Sequence, residues 1–294
     1  MSFRLEMLQV ARLAPRALGD STGLVETFLR SQLAAEGGFM NREGKGDLYY
    51  TVFGIEGLLA LQAELPREAI GAWLQRFGEG EGLDFVHLCC LARCWSALGH
   101  AGLADVWRET MARRIEEYRT PGGGFHPAKG REQGSCYGCL LAVAAYEDIG
   151  LPLPEAEKVR ACMDALLSPE GGWTNEAGLP LVIAPSTAAA LALYRRMRWP
   201  VPANCVPWLM GCCRAEGGFL AFPKAPIPDL LSTAVSLHGL VGAEADISAI
   251  KEPCLDFVDS LWNAEGGFHG NWTDDALDCE YTYYGLLALG HLVL

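Results

Sequence analysis

The sequence predicts an all-α fold in which six helical hairpins close into an (α/α)6 toroid, with one ring of helices inside another. Three observations carry that expectation. First, a Gly-Gly-aromatic motif recurs, as EGGF at 36–39, GGGF at 122–125, EGGW at 170–173, EGGF at 216–219 and EGGF at 265–268. Its second glycines fall at 38, 124, 172, 218 and 267, spacings of 86, 48, 46 and 49 residues. The first spacing is close to twice the others, and GEGEGLDF near residue 80 marks a copy that has lost its signature, so the chain divides into six units of about 46 residues. Second, each motif stands between two helical stretches. Third, the second stretch of each pair is apolar nearly all round, as a helix buried on every side must be.

Taken in order, the chain begins MSFRLEMLQVARLAPRALG, where Arg4, Glu6 and Arg12 interrupt the apolar residues. Residues 1–20 therefore read as an amphipathic helical extension and not as a signal peptide; an Arg-bearing organelle presequence is the alternative, and Glu6 counts against it. First helices are expected at 21–34, 104–119, 154–167 and 246–262, with charges on one face and apolar residues at helical spacing on the other, so they belong outside. Second helices are expected at 47–61, 84–98, 133–146, 184–194, 229–240 and 278–290, and form the inner ring. The glycine pair reads as a left-handed cap that ends each first helix, with the aromatic packing back on the turn. A propeller has units of similar length, but stretches such as STAAALALYRRM lack the alternation of strands. Closure is favoured over an open superhelix, which would expose its apolar end helices. Residues 1–294 are thus expected to form one domain, with the repeats spanning about 21–292.

Composition narrows the function. Half of the 294 residues are apolar and the net charge is −13, from 36 acids against 23 Lys and Arg. That excludes disorder and opposes nucleic acid as a partner. No apolar run approaches the roughly 18 residues of a membrane span. The eleven cysteines are odd in number, include two adjacent pairs and lie mostly in apolar helical runs, which points to a reducing, cytoplasmic setting. Cys136-x-x-Cys139 lies within a helix without a second pair at zinc spacing and reads as two buried thiols. No P-loop, dinucleotide fingerprint or nucleophile elbow is present.

Parallel inner helices would gather six N-termini, with their partial positive charges, around one mouth suited to an anion. Aligning them on Thr51, Leu88, Tyr137, Thr187, Thr233 and Thr282 puts Asp47, Asp84, Gln133, Asp229 and Asp278 at matching starts. Singly, each Asp reads as an N-cap; as a set, they are candidates to bind a cation or act as acids. His87, one turn after Asp84, reads either as a base or as a histidine packed on that carboxylate.

The order of GGF or GGW, loop, Asp and inner helix resembles the repeat of the protein prenyltransferase β subunits and of the squalene and hopene cyclases, over essentially the whole chain. The resemblance implies an α/α toroid whose aromatic-lined cavity holds an isoprenoid, and an α-type protein partner. Here Tyr49, Tyr50, Phe53, Tyr137, Tyr281, Tyr283 and Tyr284 would line such a cavity. In the zinc-dependent prenyltransferases the fifth inner helix begins Asp-x-Cys and the sixth carries a His. This chain has Asp229 with Leu231 in place of Cys, and Tyr281 in place of His, and its loop retains only Lys224 for a diphosphate. The Asp-x-Asp-Asp-Thr-Ala motif of the cyclases is reduced to Asp229, Thr233 and Ala234, with Leu231 at the proton-donating position.

The expectation is therefore a prenyltransferase-like enzyme acting on an isoprenoid. Single-domain terpene cyclisation by mouth carboxylates and non-catalytic lipid binding, or a β-like subunit role, are the alternatives. The implied catalytic residues are Asp229, Asp278, Glu280, Tyr281, Asp84 and His87, and the implied ligand contacts are Tyr49, Tyr50, Phe53, Tyr137, Tyr284 and Lys224. A zinc or magnesium ion would need a shifted site built from Asp229, Asp275, Asp278 and Cys279.

Overall fold

The structure is a computed structural model that describes residues 2–99 and 104–294. Fourteen α-helices follow in order among the described residues: α1 (Phe3–Ala11), α2 (Pro15–Leu18), α3 (Thr22–Ser31), α4 (Leu48–Ala60), α5 (Arg67–Gln75), α6 (Phe85–Leu98), α7 (Asp105–Glu116), α8 (Cys136–Ile149), α9 (Ala156–Ala165), α10 (Ala184–Arg196), α11 (Cys205–Met210), α12 (Leu230–Gly242), α13 (Lys251–Asp259) and α14 (Cys279–Leu292). The six apolar helices α4, α6, α8, α10, α12 and α14 pack each on the next, and α14 returns to α4, so the ring is closed. The outer helices lie against it; α7 touches α6 and α8, and α11 touches α10 and α12, so these two cover grooves between inner helices. The expected all-α toroid is what forms, and the unit without its motif, α5 with α6, is a full hairpin.

The glycine pair works differently from the expected helix cap. Helix α3 ends at Ser31, well before Gly37, and the motif instead forms a small hairpin closed by bridges Leu33 to Phe39, Arg119 to Phe125, Leu167 to Trp173, Cys213 to Phe219 and Trp262 to Phe268. The first glycine of each pair has φ between +93° and +110°. It also touches the next unit: a Cβ on Gly37 would overlap the carbonyl of Ala69 on α5, one on Gly217 that of Pro253 on α13, and one on Gly266 that of Leu24 on α3. Gly266 therefore joins the last unit to the first. The aromatic after the pair is fully buried, and its N–H donates to a threonine one turn into the inner helix: Phe39 to Thr51, Trp173 to Thr187 and Phe219 to Thr233, each at 2.9 Å.

That bond corrects the register of the third inner helix. Its N-cap is Ser135, which accepts from Gly138 N–H, so Cys139 and not Tyr137 is the counterpart of Thr51, and Gln133 lies outside the helix. An alignment from Gln133 starts two residues early; the N-cap here is a serine, ten residues after Phe125, the same interval as from Phe219 to Asp229 and from Phe268 to Asp278.

The N-terminal extension has a place the sequence did not indicate. Helix α1 packs on α14, α4 and α8, which are spread around the ring, so it lies across the end of the barrel opposite the inner-helix N-termini. Arg4 pairs with Glu56 on α4, the Phe3 N–H donates to Glu147 on α8 at 2.9 Å, and Glu6 reaches Arg195 on α10 and His238 on α12. Gly290 of α14 lets the Val10 carbonyl approach its Cα closely. The barrel is a cup with α1 as its floor. No described helix is long and apolar enough to cross a membrane, and all eleven cysteines are free.

Candidate functional site

The closed ring encloses a cavity of about 440 Å³, within the range of small-molecule sites. Tyr49 and Phe53 of α4, Tyr137 of α8, and Tyr283 and Tyr284 of α14 form its aromatic wall. Phe53 lies 5.0 Å from the Tyr49 ring and 5.5 Å from that of Tyr284, in tilted and edge contacts that fix the wall. Small residues of α10, Ala188, Ala189 and Ala192, leave room on the opposite side. Four of the expected contacts, Tyr49, Phe53, Tyr137 and Tyr284, therefore line the cavity. Tyr50 lies outside its lining, with its ring 5.6 Å from that of Tyr49, and Lys224 is exposed on its loop, where it forms no ion pair among the described residues.

At the mouth, all four inner-helix aspartates are N-caps. Asp47 accepts from Tyr49 and Tyr50 N–H, Asp84 from His87, Asp229 from Ser232 and Asp278 from Tyr281. The first N–H of α8, α10 and α12 is taken by a carbonyl of the next unit's loop, at Asn175, Ala221 and Gly270 respectively. These bonds use the donors that would have received an anion, so the mouth is acidic and not anion-binding as expected. Its cations are spoken for. Arg42 bonds Asp278 at 2.8 Å and Asp274 at 2.8 Å, and although burial works against the charge, these two carboxylates hold the guanidinium pKa above its ordinary value. His87 lies between Asp47 Oδ2 at 3.4 Å and Asp84 Oδ2 at 2.8 Å. The bond to Asp47 and then that to Asp84, against desolvation, raise the imidazole pKa to about 9, so His87 is an imidazolium at neutral pH and no base.

Asp229 sits on Ser232 N–H at 2.7 Å and Ser232 Oγ at 2.8 Å, and burial raises its carboxyl. Tyr281 packs its ring on Gly270 below Arg42, outside the cavity lining. Glu280 is different: it is buried, the Tyr49 hydroxyl donates to it at 2.6 Å, and burial together with repulsion from Asp278 raises its pKa to about 7. Of the proposed catalytic set, only Glu280 is bonded directly to a side chain of the cavity wall.

The shifted metal site does not assemble. Asp278 is held by Arg42, Cys279 is fully buried with its thiol pushed far above the usual range, Asp275 is exposed, and no three His, Cys, Asp or Glu side chains converge among the described residues. Zinc does not fit the family position either, since Asp229 is the one donor there and Leu231 belongs to the cavity wall. Cys136 and Cys139 are buried thiols, with Cys136 donating to the Ser186 carbonyl at 3.1 Å.

The far end of the cavity holds residues that sequence reasoning missed: Arg93, Asp148, Phe3 and Met7. A charge inside or ending an otherwise apolar run, Arg93 in LCCLARCW and Asp148 beside Glu147 in LAVAAYED, is the signal that could have found the first two.

The family described as the prenyltransferase alpha-alpha toroid domain matches residues 5–78 and 187–292, more than half of the chain. No curated protein matches it in sequence. Among solved structures, the chain is similar to Candida albicans protein geranylgeranyltransferase-I complexed with GGPP, with a TM-score of 0.67 and 15% identity over 86% of this chain and 87% of that one. It is also similar to a variant of the type II terpene cyclase MstE from Scytonema in complex with merosterolic acid A, its product, with a TM-score of 0.65 and 12% identity over 95% and 97%. An inactive variant of an alpha-1,6-mannanase of Salegentibacter shares the fold with a TM-score of 0.59 and 11% identity over 93% and 98%. At these identities the likeness is one of fold.

Proposed function

This chain belongs to the prenyltransferase alpha-alpha toroid family, and from that premise we propose that it holds an isoprenoid, or a similarly long apolar molecule, in its central cavity. The observation that carries the reading is the enclosed cavity of about 440 Å³ with five aromatic rings in its wall. Burial of apolar surface at about 25 cal/mol per Å² supplies the affinity, and the rings supply shape. A toroid shared with a geranylgeranyltransferase and a terpene cyclase supports a prenyl- or terpenoid-related role in general.

The residues argue against two kinds of chemistry. Thiol prenylation through zinc lacks a ligand set, and a diphosphate would meet four aspartates with Arg42 and His87 already paired. Protonation of an unactivated alkene needs a strong acid, whereas burial makes Asp229 and Glu280 weaker ones. A second reading rests on Glu280. A carboxyl that titrates at about 7 both gives and takes a proton at neutral pH, and Tyr49 connects it to the cavity, which suits isomerisation or ring closure of an already activated terpenoid. A transferase role beside an α-type subunit is the reading these residues support least.

Calorimetric titration with farnesol, geranylgeraniol and farnesyl diphosphate tests the reading, together with Ala189→Trp, which fills the cavity. The alcohols are expected to bind the parent protein and not the filled variant. Absence of binding, or binding unaffected by the tryptophan, would overturn it. Glu280→Gln is expected to leave binding intact and abolish any turnover of terpenoid substrates; unchanged turnover removes the proton-transfer reading.

A further inference from the structure

The floor of the cavity carries charge that an all-hydrocarbon ligand would leave unused. Arg93 points from α6 into the cavity, yet its guanidinium makes no hydrogen bond among the described residues. The one carboxylate oxygen within 4.0 Å of it among the described residues is Glu56 Oε1, at 4.0 Å. That oxygen already bonds Arg4 Nη1 at 3.3 Å, and Glu56 is 1% exposed. Beside them Asp148, 2% exposed, lines the same cavity with its Oδ1 unpartnered, and the buried Tyr283 hydroxyl also lacks a partner. Three polar groups without a partner among the described residues, at one end of an apolar tube, are costly to bury, each by about 1–3 kcal/mol, unless something completes them.

The charges identify what is missing. Two guanidiniums face Glu56 and Asp148, and burial raises Asp148 to about pH 7 against the pull of Arg93 and Arg4, so part of the population carries no charge there. Where Asp148 is protonated the floor is short of one negative charge, and Arg93, which makes no hydrogen bond among the described residues, is the cation without a committed partner. A planar guanidinium with free N–H groups matches a carboxylate in a bidentate fork. A diphosphate, with more charge, would need several free cations, and Glu56 would repel it.

We propose that this floor is a head-group subsite for a carboxylate, so that the ligand is an apolar carboxylic acid lying head-down, its carboxylate on Arg93 and its chain running back along the tyrosine wall to the mouth. The inference rests on the reading of the cavity as an isoprenoid site and adds the nature and direction of the ligand's polar end. A protonated Asp148 donates a hydrogen bond to the same carboxylate, and helix α1 keeps water from the pair.

The test is calorimetry on the full chain with farnesoic acid, farnesol and farnesyl diphosphate, for the parent, Arg93→Met, Arg93→Lys and Asp148→Asn. The acid is expected to bind roughly ten- to a hundredfold more tightly than the alcohol, the worth of a charge-assisted pair. Arg93→Met abolishes that preference while farnesol affinity stays within about twofold, and Asp148→Asn, which mimics the protonated acid, keeps the preference. If Arg93→Met fails to fold, Arg93→Lys, which keeps the charge and loses the fork, is expected to reduce the preference. Equal affinity for acid and alcohol, a preference indifferent to Arg93, or tightest binding of the diphosphate overturns the subsite and leaves the cavity reading standing. Binding of none of the three overturns both.

Discussion

Asp47, Asp84, Asp229 and Asp278 resemble a catalytic constellation when written side by side, but each spends its carboxylate on a helix N-terminus, a contribution of about 1 kcal/mol apiece. Spacing marked their positions and offered His87 as the partner of Asp84, but not the partners that come from other units, Arg42 on Asp278 and His87 on Asp47. The Asp47, His87 and Asp84 cluster makes a measurable prediction. The folded state raises His87 from 6.5 to about 9, so the stabilisation is whole below about pH 6.5 and is lost as pH rises through about 9. With the side chain 33% exposed, solvent screening reduces its worth to about 1–2 kcal/mol. Urea unfolding of the parent and His87→Gln is expected to differ by that amount at pH 6 and to converge by about pH 9.5. A constant difference across the range would refute the ion cluster.

Among the elements, the repeated hairpin does the joining. A glycine is required twice over at Gly266, for its φ of +98° and because a Cβ would strike the Leu24 carbonyl that closes the ring. Gly44 shares the left-handed backbone, at +76°, but faces open space. Gly44→Ala is therefore expected to cost about 1 kcal/mol and Gly266→Ala about 3 kcal/mol or more, read from denaturant midpoints at unchanged slope. Similar costs at the two sites would mean that the ring does not depend on this contact. The motif was legible because it recurs. That it forms a hairpin and not a helix cap was not, since glycine with positive φ serves both.

For the whole molecule, the decisive feature is that the cup has a floor. Without α1 the barrel would be open at both ends, the cavity would lose Phe3 and Met7 from its lining, and buried Glu56 would lose its bond from Arg4. The contact is tight at Gly290, where any side chain would strike the Val10 carbonyl. Gly290→Val is expected to lift α1, expose residues 2–12 to protease, increase binding of a fluorescent apolar dye and weaken farnesol binding by roughly tenfold, as about 1.4 kcal/mol of burial is lost. Retained protease resistance and ligand affinity would show that the floor bears no strain from this site.

Periodicity, apolar inner helices and glycine pairs are local properties, repeated six times with one worn copy, and they were enough to specify the toroid and its closure; the aromatic residues of the wall came from the resemblance to the family, and not from the pattern. What only the folded chain decided is which polar groups meet. Arg42 lies 236 positions from the aspartate it neutralises, Tyr49 lies 231 from Glu280, and Arg4 lies 52 from Glu56. The reason is physical: hydrophobic patterning depends on each residue's own surface, whereas the charge state and direction of a buried polar group depend on partners that only ring closure and the docking of α1 bring within 3 or 4 Å.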